Sequence, residues 1–318
     1  MVKAGSGTVF VSNLGSNYKG ATTLNSGTWE VSLLANGGTD SHIGQSSSAA
    51  TNLVLNGGTL QYVGSAVSLD RLFSLGANRG TLDASGSGAL QFTDFGNLGF
   101  VDSGTHQLTL TGNNTSGNKL NAVIGDNGRA TTLLKSGSGA WTLGGSNSYS
   151  GGTAISGGTL TVLSQATVGS GNLSVSNGVT CVIQNTNALG TNAYVYLNGT
   201  MNLAYTGTNT VKRLYIGGVL QSAGVWNATR DNVHFSGSGN LLVSEGAANG
   251  PIGLKGVVAP GGGMTLSWTN SAVTLYYTRS LSPAAWVVVT NVPGHTNGQW
   301  TITLPAGTNA TGFYRLQQ

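Results

Sequence analysis

Residues 137–162 read GSGAWTLGGSNSYSGGTAISGGTLTV, and residues 5–31 carry a variant of the same line, GSGTVFVSNLGSNYKGATTLNSGTWEV. Each copy sets a glycine turn before a run in which apolar and polar residues alternate: Trp141-Thr142-Leu143, Leu160-Thr161-Val162, Trp29-Glu30-Val31. Alternation with a period of two is a half-buried strand, and the preceding Ser-Gly or Gly-Gly supplies the positive φ that a tight turn requires. No stretch sustains a 3.6-residue apolar period free of Gly and Ser, which argues against helix.

The duplicated line is the visible part of a shorter repeat. Glycines followed by such runs recur at 27, 58, 80, 104, 139, 158, 178, 199, 218 and 239, and most lie 19 to 24 residues apart. Two residues after them come Trp29, Leu60, Leu82, His106, Trp141, Leu160, Thr180, Met201, Leu220 and Leu241, an expected inward column; between it and the next apolar position, residues such as Glu30, Gln61, Thr161 and Cys181 are expected to face water. A period of ~20 to 25 residues is that of a solenoid, whose units bury their apolar faces only by stacking. Equivalent strands then run the same way, ~4.8 Å apart. The expected fold is all-β: a right-handed parallel β-helix of roughly ten or more rungs over residues 1–246. The wider gaps, 27 to 58 and 104 to 139, are expected to hold insertions or a poorly marked rung.

The rhythm breaks at SEGAANGPIGLKG, residues 244–256, and residues 247–256 read as a linker. Beyond it, MTLSW (264–268), VTLYYT (273–278), WVVVTN (286–291), QWTITLP (299–305) and FYRLQQ (313–318) are short alternating strands between Pro, Gly and Asn turns. They predict a small antiparallel, fibronectin-like β-sandwich over 257–318, its core filled by Trp268, Tyr276, Tyr277, Trp286, Trp300 and Tyr314. Anchoring, sorting or covering the end of the helix are the roles such a module offers.

Composition narrows the function. Regularly placed Val, Leu, Ile and Trp oppose disorder despite 52 glycines, and only five prolines exclude collagen. The net charge of +4 comes from scattered cations, with Lys212-Arg213 the one adjacent pair, so no nucleic-acid partner is expected. No apolar run reaches the ~20 residues of a membrane-spanning helix. The single Cys181 precludes an internal disulfide, and His42, His106, His234 and His295 are too far apart in sequence to suggest zinc. Calcium nonapeptides are absent, and no cofactor is expected. The sequons at Asn113, Asn198, Asn227 and Asn309 are what an Asn/Thr-rich chain produces by chance. Met1-Val2-Lys3 leads directly into the first repeat with no secretory leader, which reads as a mature piece or a fragment.

The stretch Lys135 to Leu143, then Asn147, Tyr149 to Thr153 and Gly157 to Leu160, closely resembles the autotransporter-associated β-strand repeat of bacterial secreted passenger proteins; residues 3–31 resemble it with Lys19 and Ala21 where Ser and Gly are preferred. The resemblance implies a parallel β-helix at the cell surface or outside the cell, and no chemistry. The chain does not end in a membrane-barrel pattern of ~10-residue alternating segments.

The function expected is therefore structural or adhesive, extracellular and without catalysis, with fibre formation through the solenoid ends: the first rung is expected to leave Val9, Val11, Trp29 and Val31 open. The rival reading is a carbohydrate-active enzyme or carbohydrate-binding module, with a polysaccharide or cell-surface glycan as partner. An enzyme needs clustered acids, and the most acidic neighbourhood holds Asp94, Asp102, His106, Asp126 and Arg129. Asp94, Asp102 and Asp126 all stand close before glycines, however, as turn residues do, so no catalytic or metal-binding residue is assigned. His106 falls in the apolar column, which signals either a register slip or a hydrogen-bonded buried histidine.

Overall fold

The computed structural model describes residues 1–12, 14–246, 254–258, 263–268, 273–296, 299–304 and 312–317. The chain divides into two compact units, Met1–Gly246 and Ala247–Gln318.

The first unit is a parallel β-solenoid. Its main sheets have 11, 8 and 5 strands, and the 3-10 turn Ala50–Asn52 is its helical element among the described residues. In the longest sheet every pairing but the last is parallel. Its register stacks Trp29 on Leu60, Leu60 on Leu82, Leu82 on Leu110 and Leu110 on Lys135. The stack continues through Ile155, Val175, Leu197 and Ile216. In the eight-stranded sheet Trp141, Leu160, Cys181, Met201 and Phe235 form a second buried stack. Each buried Leu or Ile removed from water contributes about 1.5–3 kcal/mol.

The alternation read from sequence holds, but the two apolar columns expected to run unbroken along the interior do not stay on one sheet. The glycines at 27, 58 and 80 precede strands of the longest sheet, whereas those at 139, 158, 178 and 199 precede strands of its eight-stranded neighbour. Each rung carries two strongly patterned strands, and the glycine marker passes from one to the other. The 104–139 gap thus holds a complete rung strand, Thr131–Lys135. The 27–58 gap holds an insertion, since Thr28–Val31 pairs directly with Thr59–Tyr62.

Four features differ from expectation. Cys181 is fully buried and Val182 faces outward, because Val179 is buried in the turn after Gly178 and delays the strand by one residue. Leu220 belongs to no rung: Gly217 and Gly218, at φ 59° and 79°, close a hairpin that folds Val219–Leu220 back antiparallel on Tyr215 and Ile216. Trp29 and Val31 are not open, because Thr8–Val11 pairs over them; Val9 and Phe10 are the exposed apolar residues there. Leu82 pairs with Leu110 rather than with His106, a four-residue slip.

The insertion is ordered by Arg71 on the next rung. Its buried guanidinium donates to the carbonyls of Ala35 and Gly44, both at 2.8 Å, to those of Asn36 and Thr39 at 3.3 and 3.4 Å, and to Ser46 Oγ at 3.2 Å. Such charge-assisted bonds satisfy loop carbonyls that no strand serves.

In the second unit, antiparallel sheets of four and three strands share a core of Leu266, Trp268, Leu275, Ile302 and Leu304. The strand Lys255–Val258 begins within the stretch expected as linker and pairs with Met264–Ser267; linker residues 247–253 lie outside the described residues. A strand unforeseen in sequence, Gly294–Thr296, pairs with Gln299–Thr301. Of the aromatics expected as filling, Trp268 is buried, whereas Trp286 and Tyr276 lie against the Arg315 guanidinium at 4.2 and 5.7 Å.

Candidate functional site

The outward face of the longest sheet is written one residue per rung. One column runs Thr8, Thr28, Thr59, Thr81, Thr109. It then changes character to Leu134, Ala154, Ser174, Tyr196 and Tyr215. β-Branched threonines suit a wet pleated surface. The second half is different: two successive rungs present small side chains, and the next two present large aromatic ones.

That step in size makes a groove of about 330 Å³. Gly151, Gly152, Ala154 and Ser174 line it together with Thr132, Leu134 and Tyr196, and Gln107 and Asn172 are also in its lining. Gly152 has φ 89°, which an L-side chain rarely adopts, and a Cβ on Gly151 would stand 2.4 Å from the Thr131 carbonyl. The floor therefore stays low for backbone reasons. Asn172 is oriented by its Oδ1, which accepts the Tyr194 N–H at 2.9 Å.

The aromatic wall is braced from behind. Tyr196 stacks on Tyr215 with centroids 4.9 Å apart and planes 17° from parallel, and Tyr194 leans on Tyr215 at 6.4 Å. Arg213 lies over the Tyr194 ring at 5.3 Å and pairs with Glu245 at 3.1 Å. One face of Tyr196 is thus occupied by Tyr215 while the residue itself lines the groove. The signal was present in sequence: Tyr194-Val195-Tyr196-Leu197 and Arg213-Leu214-Tyr215-Ile216 repeat one rung apart with aromatics at outward positions.

The acidic neighbourhood has another role. Asp94 Oδ1 accepts the Gly96 N–H at 2.7 Å. Asp102 accepts the N–H of Gly104 at 2.8 Å and of Ala77 at 2.9 Å, bonds that lower its pKa. Asp126 accepts those of Thr131 and Ser150, which outweigh the upward effect of burial and leave its pKa lowered. Each carboxylate closes its own turn or ties it to an adjacent rung, as Asn127 does by donating to the Asp102 carbonyl at 2.7 Å. None of these acids, nor Arg129, lines the groove. His106 is buried, packs on Phe100 at 4.6 Å and meets Asp102 Oδ1 through Nε2 at 3.1 Å, so both explanations for its place in the column hold. A second depression of about 370 Å³ beside His106 shares Gln107, Thr132 and Gly151 with the groove and holds Arg79. Among the described residues no three His, Cys, Asp or Glu side chains are placed to hold a metal ion, and no helix is long and apolar enough to cross a membrane.

Comparison with known proteins matches the passenger-associated transport repeat at residues 1–28 and 133–162, the two segments that resembled such repeats in sequence. A curated relative, the adhesin BmaC autotransporter of Brucella suis biovar 1 (strain 1330), is 40% identical over 143 residues. That match covers 44% of this chain and 4% of the relative, so the chain spans a small part of that protein. No solved structure matches. The chain is thus built in part from passenger-type repeats, which are those of extracellular or cell-surface bacterial proteins.

Proposed function

We propose that this chain is a non-catalytic adhesive segment of a surface-exposed or secreted bacterial protein, a β-solenoid that holds a binding groove on one outer face. The observation that carries the reading is the braced tyrosine wall of Tyr194, Tyr196 and Tyr215, raised directly beside the two rungs that present only Ala154 and Ser174 in the same column. The passenger-type repeats and the adhesin named among the relatives support it. The diversion of Asp94, Asp102 and Asp126 into turn hydrogen bonds favours binding over hydrolysis, which requires a free acid and base at one bond. End-to-end contact between solenoids belongs to the same reading, through exposed Val9 and Phe10, and concentration-dependent light scattering would detect it.

The test is retention under flow. Beads coated with the chain should be held on at least one of a cellulose film, a mucin film and a collagen film, and should release no new reducing ends from soluble polysaccharides. Absence of retention on every film, or turnover above a heat-denatured control, overturns the reading.

A further inference from the structure

We propose that the groove beside Tyr196 binds an uncharged oligosaccharide, one sugar ring stacking on the face of Tyr196 turned away from Tyr215. This rests on the adhesive reading and names its ligand class. Three features select a glycan. First, Tyr196 is 36% exposed, lines the groove and is held upright by the parallel ring of Tyr215, so an aromatic face is presented without an ordering cost on binding. The negative face of such a ring attracts the polarised C–H bonds of a pyranose.

Second, the hydrogen-bonding groups at hand are neutral. Asn172 has its Oδ1 engaged by Tyr194 N–H, which leaves the Nδ2 donors for a ligand, while Gln107, Thr132 and Ser174 supply further amide and hydroxyl groups. Sugar hydroxyls both donate and accept, and these groups answer both. Third, no Asp, Glu, Lys or Arg lines the groove; the cation Arg79 belongs to the adjoining depression, and Arg213 is paired with Glu245. An acidic glycan would find no counter-charge there. An extended peptide would find no backbone partner, because the ladder of the surrounding strands already consumes the N–H and C=O groups of this sheet.

The experiment is a titration of the whole chain with cellohexaose, laminarihexaose, mannohexaose, maltohexaose and chitohexaose, with polygalacturonate as the charged comparison, followed by calorimetry and by ligand-observed NMR. At least one neutral hexasaccharide should bind saturably. Tyr196→Ala should weaken that binding tenfold or more, as should Ala154→Arg, which fills the floor without touching the core. Thr59→Ala, in the same outward column but remote from the groove, should leave it unchanged. The proposal is overturned if no neutral hexasaccharide binds, if polygalacturonate binds more tightly than all of them, or if Ala154→Arg has no effect while the variant remains folded by circular dichroism. Retention of beads on collagen that survives both groove variants would leave the adhesive reading standing and remove this one.

Discussion

Tyr149 Oη lies 2.6 Å from Thr153 Oγ1, whose own proton goes to the Val168 carbonyl at 3.1 Å, and both side chains are buried. The first repeat builds the same relay from Tyr18, Thr22 and the Ile43 carbonyl, at 2.7 and 3.0 Å. The glycine that follows the accepting residue, Gly169 or Gly44, lets backbone pass against the tyrosine ring, where a Cβ would stand under 3 Å from it. The duplicated line is thus a recipe for one corner of a rung: tyrosine, threonine, and a backbone that approaches both.

Thr153→Val should therefore destabilise the solenoid by about 1–3 kcal/mol, because it leaves a buried tyrosine hydroxyl without an acceptor. Thr22→Val should cost less, since Tyr18 is only half-buried and water can replace the lost partner. The double variant Tyr149→Phe/Thr153→Val should recover part of the loss. Urea midpoints compare the three.

Much of the first unit was legible because strand alternation is local. The residues Trp29, Leu60, Leu82, Trp141, Leu160 and Met201 all point inward as their pattern requires. Assignment to sheets was not legible, because a glycine turn marks the start of a strand without saying which side of the rung it opens. The Cys181 error shows the same limit: one extra residue in a turn exchanges the faces of the strand after it. The groove was not legible for a different reason. It arises from the difference in side-chain size between neighbouring rungs, Ala154 and Ser174 beside Tyr196, and that relation exists only once the register is known.

Alternation itself can be tested at adjacent residues. Leu160 is fully buried between Trp141 and Cys181, whereas Thr161 lies on the outward side of the same strand. Leu160→Asp should cost several kcal/mol, about 3 or more, and leave the chain largely unfolded at physiological temperature, since it buries a carboxylate between the apolar side chains of Trp141 and Cys181. Thr161→Asp should remain within about 0.5 kcal/mol of the parent. Equal loss of thermal stability in the two variants would contradict the register.

Cys181 is fully buried, and that burial pushes its thiol pKa up to about 12. Thiolate is the reactive form, so the folded chain should resist iodoacetamide at pH 8 for hours and react promptly in denaturant. Reductant should leave the melting temperature unchanged. Prompt labelling of the native chain would place the residue outside the stack it shares with Leu160 and Met201.

Lys135 supplies a pH test with a defined direction. It occupies a buried position in the apolar stack between Leu110 and Ile155, and its ammonium donates to the carbonyls of Ser136 at 2.6 Å, Gly137 at 3.1 Å and Gly157 at 2.9 Å. Burial lowers its pKa to about 8, from 10.5 in an unhindered lysine. Below pH 8 the side chain is charged in both folded and unfolded chains, so the fold carries the whole cost of burying the ammonium. Between pH 8 and pH 10.5 the folded protein has released its proton while the unfolded chain still holds one. Stability contributed by this residue therefore rises with pH through that window and levels off above it, by at most about 3 kcal/mol, because the unfolded state binds more protons. Buried tyrosines work the other way above pH 10: burial holds Tyr149 protonated in the fold while unfolded tyrosine ionises. The measurement is thus a difference. The urea-derived stability of the parent minus that of Lys135→Met, followed from pH 7.5 to 10.5, should rise by about 2–3 kcal/mol. A flat difference would mean that the three carbonyls hold the proton on Lys135 as firmly as water does.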